Sequence, residues 1–309
     1  MHREIRRPLT FALALAAAAV FAAGCGSDAR EEAPRPAPAD TSSPESSDPA
    51  ASGVYLVFGE AIPGGARARI ADLLGSALGK PVAVTHPAAL PAELAGDALV
   101  IAIGDSRVTR AAIPASDVAA LGAEGFVIRS GKHGAATLLA ADGKPAKHHP
   151  HGNLGALHGA YALLEELGFS FLHPLAPVVP EALAIPTAPI ARSETPRWDE
   201  RAIHLHTMHP TELTDLLEGW GPGGPSDAKG WEAMLPEWDR FLEWCIANGQ
   251  NGVEWFLLWA ESWKEFADSS ERLARLKRLV DRAHEFGLSA GIDAPIAFAQ
   301  QHSFRLLRK

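Results

Sequence analysis

Hydrophobic and polar residues follow two spacings in this chain, one of strand type and one of helix type. Residues 54–58 are an unbroken apolar run, Val-Tyr-Leu-Val-Phe, of the length and content of a buried strand. Residues 66–78 shift to helical spacing, with Ile70, Leu73, Leu74 and Leu78 on one face. Residues 81–85 and 98–103 predict two more strands, and residues 124–129 and 135–141 predict a hairpin around Gly131-Lys132-His133-Gly134. A second helix is predicted over 154–167, with Leu157, Tyr161, Leu164 and Leu167 on a shared face and Gly168 as its stop. A short strand at 169–172 completes what reads as a two-layer α/β sandwich over residues 53–190.

From residue 196 the order becomes regular. A strand runs over 201–210 and ends at Pro210, and a loop rich in Gly and Pro follows through Trp220-Gly221-Pro222-Gly223-Gly224-Pro225. A helix starts near Pro236, a residue suited to the first helical position, and places Trp238, Phe241, Leu242 and Cys245 on one face before Asn248-Gly249. A strand over 252–259, a helix over 270–286 with Asp268 and Glu271 at its positive end, and a strand over 288–294 complete the series. Strand, helix, strand, helix, strand is the way a (β/α)8 barrel begins. A whole barrel takes about 250 residues, and residues 196–309 leave room for about three strand–helix units. The expected fold class is therefore α/β, a small two-layer α/β sandwich followed by an incomplete (β/α)8 barrel, in a sequence expected to continue further in its full-length form.

The first 25 residues differ from everything after them. Arg3, Arg6 and Arg7 precede an apolar stretch over 9–23 that is too short for a comfortable membrane span. The stretch ends in Ala22-Ala23-Gly24-Cys25, which resembles the lipobox of bacterial lipoproteins; leucine is more usual at the place held by Ala22. The resemblance implies that Cys25 is acylated and becomes the first mature residue, the alternative being an ordinary cleaved signal. Residues 26–52 are Ala, Pro, Ser, Asp and Glu with almost no large apolar side chain, a composition that makes a tether and not a core. The expected location is outside the cytoplasm, with the protein lipid-anchored to a bacterial membrane. The one other cysteine, Cys245, falls on an apolar helix face, so no disulfide is expected within the mature chain.

The net charge is -9, which argues against nucleic acid as a partner. All eight tryptophans lie between Trp198 and Trp263. Flat aromatic faces stack on the C–H faces of sugars while carboxylates take the hydroxyls, so a confined set of indoles suggests a carbohydrate partner. A core-filling role is the alternative for any single one.

The run Gly152-Asn153-Leu154-Gly155-Ala156-Leu157-His158-Gly159-Ala160-Tyr161-Ala162-Leu163-Leu164-Glu165-Glu166-Leu167-Gly168, followed by Phe171-Leu172-His173-Pro174, resembles the helix of the small domain that precedes the barrel in several glycoside hydrolases. These are family-20 β-N-acetylhexosaminidases, α-glucuronidases and α-N-acetylglucosaminidases. Glu124-Gly125-Phe126-Val127-Ile128 is similar to a strand of the same domain. The resemblance implies a glycoside hydrolase-like protein acting on an oligo- or polysaccharide. It also implies that the acid/base carboxylates sit on later barrel strands than those found here, so no catalytic residue is assigned.

Candidate substrate contacts are the residues at the carboxyl ends of the predicted barrel strands. They are His206 and His209 at the end of the first strand, Trp259, Glu261 and Trp263 at the end of the second, and Asp293 at the third. Arg201 opens the first strand and resembles a sugar-holding arginine of family 20; pairing with Asp199 or Glu200 is the alternative. Two other functions stay open: a glycan-binding lipoprotein without catalysis, and an amidohydrolase-like barrel holding a metal on His204 and His206. His148, His149 and His151 are split by Pro150 and read as a solvated loop, so neither a metal nor a cofactor is expected.

Overall fold

The computed structural model describes residues 53–82, 84–205, 212–256 and 269–293. They form two sheets and six α-helices, an α/β fold. The chain runs through β1 (Val54–Phe58), α1 (Gly64–Leu78), β2 (Leu99–Ile103), the short α2 (Ala115–Ala119), β3 (Phe126–His133), β4 (Ala136–Gly143), α3 (Leu154–Glu166) and β5 (Ala191–Glu194). Their sheet has the order β1-β2-β4-β3-β5, with β1, β2 and β4 parallel and β3 antiparallel to both its neighbours.

Both faces of the central strands are apolar because both are covered. Leu56, Phe58, Ile101, Ile103, Ile128 and Leu139 pack with α1 and α3, while Val57, Val100, Ala102, Val127 and Leu138 pack with Leu90, Leu94, Val108 and Ile113 on the other side. The glycine-rich run at α3 is a packing device. A Cβ on Gly155 would come within 2.6 Å of the Gly125 carbonyl, and one on Gly159 within 3.1 Å of Phe126 Cβ, so the helix lies directly against the β3–β4 hairpin. Asn153 caps α3 by accepting from the Ala156 amide at 3.1 Å, and its Nδ2 donates to the Gly143 carbonyl at 2.8 Å.

The second half continues through β6 (Ala202–Leu205), α4 (Thr214–Leu217), α5 (Ala228–Ala247), β7 (Gly252–Phe256), α6 (Ser270–Glu285) and β8 (Ser289–Asp293). These strands form a separate sheet in the sequential order β6-β7-β8, all parallel. Trp238, Phe241, Leu242 and Ile246 of α5 and Leu276, Leu279 and Ala283 of α6 pack with Val253 and Trp255 of β7. The same apolar cluster runs on through α3 into the first sheet, so the two sheets share a core. No helix among the described residues is long and apolar enough to cross a membrane.

Several expectations need correction. Residues 81–85 and 169–172 are not strands; each contributes a single bridge, Val84 to Leu56 and Ser170 to Val178. Pro81 lacks an amide for a ladder, and the run after Gly168 carries too few paired groups to extend one. The helix expected near Pro236 begins at Ala228, because the Asp227 carboxylate accepts from the Gly230 amide at 2.9 Å and caps the chain there. Pro236 lies inside that helix with its ring toward solvent. The edge strand β5 and the turn of α4 carry no apolar periodicity and were not expected. The far ends of the strands expected over 201–210, 252–259 and 288–294 lie outside the described residues, as do residues 1–52.

Candidate functional site

The register of the three-stranded sheet sorts its side chains by face. Ile203, Val253 and Ala290 form one row and Leu205, Trp255 and Ile292 another, and both rows join the core under α5 and α6. The alternate rows, Ala202-Gly252-Ser289 and His204-Glu254-Gly291, therefore lie on the opposite face. There His204 Nδ1 is 3.6 Å from Glu254 Oε2, and the His204 ring lies 4.8 Å from the Phe256 ring. The His204 and Glu254 side chains are 38% and 50% exposed, so solvent screens their attraction and leaves both groups available. Gly291 makes room for the carboxylate, since a Cβ there would sit 3.1 Å from Glu254 Cγ. Asp293 ends β8 in register with Phe256. A carboxylate acceptor beside an imidazole that both donates and accepts is a hydroxyl-binding arrangement.

Glu254 and Phe256 were not singled out from sequence. The signal was present: a glutamate at the centre of Gly-Val-Glu-Trp-Phe, otherwise apolar, must face away from the core. Of the expected contacts, His206, His209, Trp259, Glu261 and Trp263 lie outside the described residues.

Arg201 is placed differently from either expectation. Its Nη2 donates to the carboxylate of Glu124, its Nε to the Gly249 carbonyl at 2.5 Å, and its Nη1 to the Trp198 carbonyl at 2.7 Å. The acid it pairs with comes from just before β3, not from Asp199 or Glu200. Glu124 is 2% exposed and holds φ +55°, a left-handed conformation uncommon outside glycine. Its amide donates to the Lys144 carbonyl at 2.9 Å, which helps fix that conformation. Asn251, just before β7, donates to the same Glu124 oxygen at 3.0 Å and to the Asp199 carbonyl at 2.5 Å, and accepts from the Arg201 amide at 2.9 Å. With its fork filled by protein acceptors, Arg201 braces the amino-terminal ends of β6 and β7 against the first sheet.

The histidine triplet is not the solvated loop expected from sequence. His149 is 4% exposed, its Nδ1 lies 2.7 Å from Ser289 Oγ at the start of β8, and burial lowers its pKa. His151 stacks on His284 of α6 at 3.7 Å. The loop packs against the second sheet because its rings find partners there. A second buried polar set joins three helices: Tyr161 Oη donates to Glu243 Oε1 at 3.3 Å, and Arg69 pairs with Glu243 Oε2 at 2.7 Å. Burial raises the Glu243 pKa, and Arg69 opposes that rise.

The tryptophans divide by role. Trp231, Trp238 and Trp255 are fully buried, and their indole N–H groups donate to the carbonyls of Leu216, Leu279 and Leu217. They fill the core beneath the helices, so much of the clustering reflects packing. Trp220, half-buried in the loop between α4 and α5, has the Arg272 guanidinium 5.0 Å from its ring, and Arg272 in turn pairs with the buried Glu218 at 2.8 Å. Trp198 is exposed. Trp259 and Trp263 are outside the described residues. Cys245 is fully buried, and burial raises its pKa, which suits an inert core thiol.

A cleft of about 320 Å³ opens where the two sheets meet, with His158, Glu165, Arg192, Arg201 and Asn248 in its walls. His158 Nε2 donates to the Gln250 carbonyl at 3.2 Å, and burial lowers its pKa. Burial also raises the pKa of Glu165.

The sequence matches no family model and no curated protein. A solved structure, CpGH84D, is similar over 83% of this chain and 37% of that one, with 14% identity and a TM-score of 0.39. This chain thus spans little more than a third of that protein's length.

Proposed function

We propose that the three-stranded sheet is the opening arc of a (β/α)8 cylinder, and that the protein is a glycoside hydrolase-like lipoprotein that handles an oligo- or polysaccharide. One observation carries the proposal: three consecutive strands lie side by side, all parallel, with their helices on one face and His204 and Glu254 open on the other. Doubly wound sheets reverse their strand order, whereas barrels add each strand beside the last. The face opposite the helices becomes the barrel interior, and its carboxyl end becomes the site.

In this reading His204, Glu254 and Phe256 lie at the inner wall, and His206, His209, Trp259, Glu261, Trp263 and Asp293 supply the rim that touches sugar. The carboxylate pair that cleaves the glycosidic bond belongs to strands later than β8. Cys25 carries the lipid, and residues 26–52 hold the folded part away from the membrane.

A panel of nitrophenyl glycosides, assayed on the full-length protein, tests the activity. Hydrolysis of at least one, lost on replacing Trp259 and Trp263 with alanine, is the expected result. Sugar binding without hydrolysis would convert the proposal into a glycan-binding lipoprotein, and neither binding nor hydrolysis would end it. For the anchor, Cys25→Ala should move the protein from the membrane fraction to the soluble fraction.

A further inference from the structure

A second cluster lies at the amino-terminal ends of the second sheet's strands, at the opposite end from the proposed sugar-binding rim. His148, His149 and Glu200 each offer a ligand atom, and these atoms lie within 4.8 Å of one another. His148 Nε2 is 3.9 Å from Glu200 Oε1. Beneath them, His149 Nε2 and Glu124 Oε1 face each other across 3.7 Å, both buried and neither with a hydrogen-bond partner. Two buried, unpartnered polar atoms turned toward one point are costly unless something lies between or beside them.

The other atom of each side chain is already tied. Ser289 Oγ takes His149 Nδ1, which leaves Nε2 as the free ligand atom and fixes the ring. Arg201 and Asn251 hold Glu124 Oε2, which leaves Oε1 free. Two imidazoles and one carboxylate, His148, His149 and Glu200, are a donor set for zinc. Bonds of about 2.0–2.1 Å in a tetrahedron put neighbouring ligand atoms about 3.3 Å apart, so atoms that lie within 4.8 Å of one another must draw in by up to about 1.5 Å, which the exposed His148 and Glu200 side chains are free to do.

We propose that a zinc ion binds His148, His149 and Glu200, with the Glu124 carboxylate facing His149 beside it, and clamps the loop before α3 to the start of β6. Three protein ligands leave the fourth position to water, and the amino-terminal face of a barrel is its stability face. The ion is therefore a structural brace.

The test uses the full chain, stripped with a chelator and titrated with zinc chloride. The expected result is one zinc per chain and a melting temperature that rises with zinc. His148→Ala and Glu200→Gln, both at exposed residues, should each weaken zinc at least about tenfold, and Ser289→Ala, which acts through His149, about tenfold. His149→Ala should abolish stoichiometric binding. If that variant fails to fold, the exposed pair still decides. No retained zinc together with no melting shift overturns the proposal. So does zinc binding that survives His148→Ala and Glu200→Gln, or that is lost only on replacing His151 or His284, the stacked pair nearby.

Discussion

The two sides of the three-stranded sheet use charge in opposite ways. At the strand starts, Glu124 and Asn251 are buried and Arg201 is half-buried, and apart from Glu124 Oε1 their side-chain polar atoms meet protein partners. On the face away from the helices, His204 and Glu254 lie open to solvent beside each other, with the Phe256 ring against His204. Buried charges that lose a partner cost much, while exposed ones cost little, so one side governs stability and the other is free for a ligand.

Removing a member of the buried set should have the largest effect. Arg201→Ala leaves the Glu124 carboxylate buried without its cation and should lower stability by about 3–5 kcal/mol, read from denaturant unfolding. A loss under about 1 kcal/mol would show that the junction opens to water. A smaller loss is expected at the helix cap that faces the same junction. Asn153→Ala removes the bond from the Ala156 amide and the one to the Gly143 carbonyl, and should cost about 1–2 kcal/mol.

Asp142 sharpens the contrast, since it is a buried carboxylate with no cation in direct contact. Its partner is the Gly143 amide at 2.8 Å, and burial pushes its pKa up from 3.8 to about 6. A folded-state pKa above the unfolded one means the folded chain holds the proton more tightly. The Asp142 contribution is then full below about pH 4 and is lost as pH rises through about 6. Asp142→Asn should flatten that part of the melting-temperature profile and raise the melting temperature at neutral pH. An unchanged profile would contradict it.

The smallest effect on stability is expected on the open face. His204→Ala and Glu254→Gln should each change stability by no more than about 0.5 kcal/mol while weakening any sugar the protein binds. A large loss of stability would mean this face is packed and not available.

Much of the fold was legible because it rests on apolar spacing. β1, β2, the β3–β4 hairpin, α3 and α6 fall close to their expected places, since each presents a run or stripe to the core. β5 reads Ala-Arg-Ser-Glu and was invisible to that signal; it exists because β3 offers an edge. The candidate site was less legible. Glu124 and Arg201 were each noted, but their pairing spans residues far apart in sequence, and only the meeting of two sheets brings them together. The same holds for His149 and Ser289. The outward direction of Glu254 follows from strand alternation, but its place beside His204 needed the register.

The central claim is that the open face of the second sheet lies on a sugar-binding cylinder. Calorimetric titration of the full-length protein with N-acetylated and uronate-containing oligosaccharides tests it most directly, with His204→Ala and Glu254→Gln run alongside. The account predicts saturable binding to one class, weakened about tenfold or more in the variants with their melting temperatures unchanged. Binding that both variants leave intact, or no binding to any class, would contradict it.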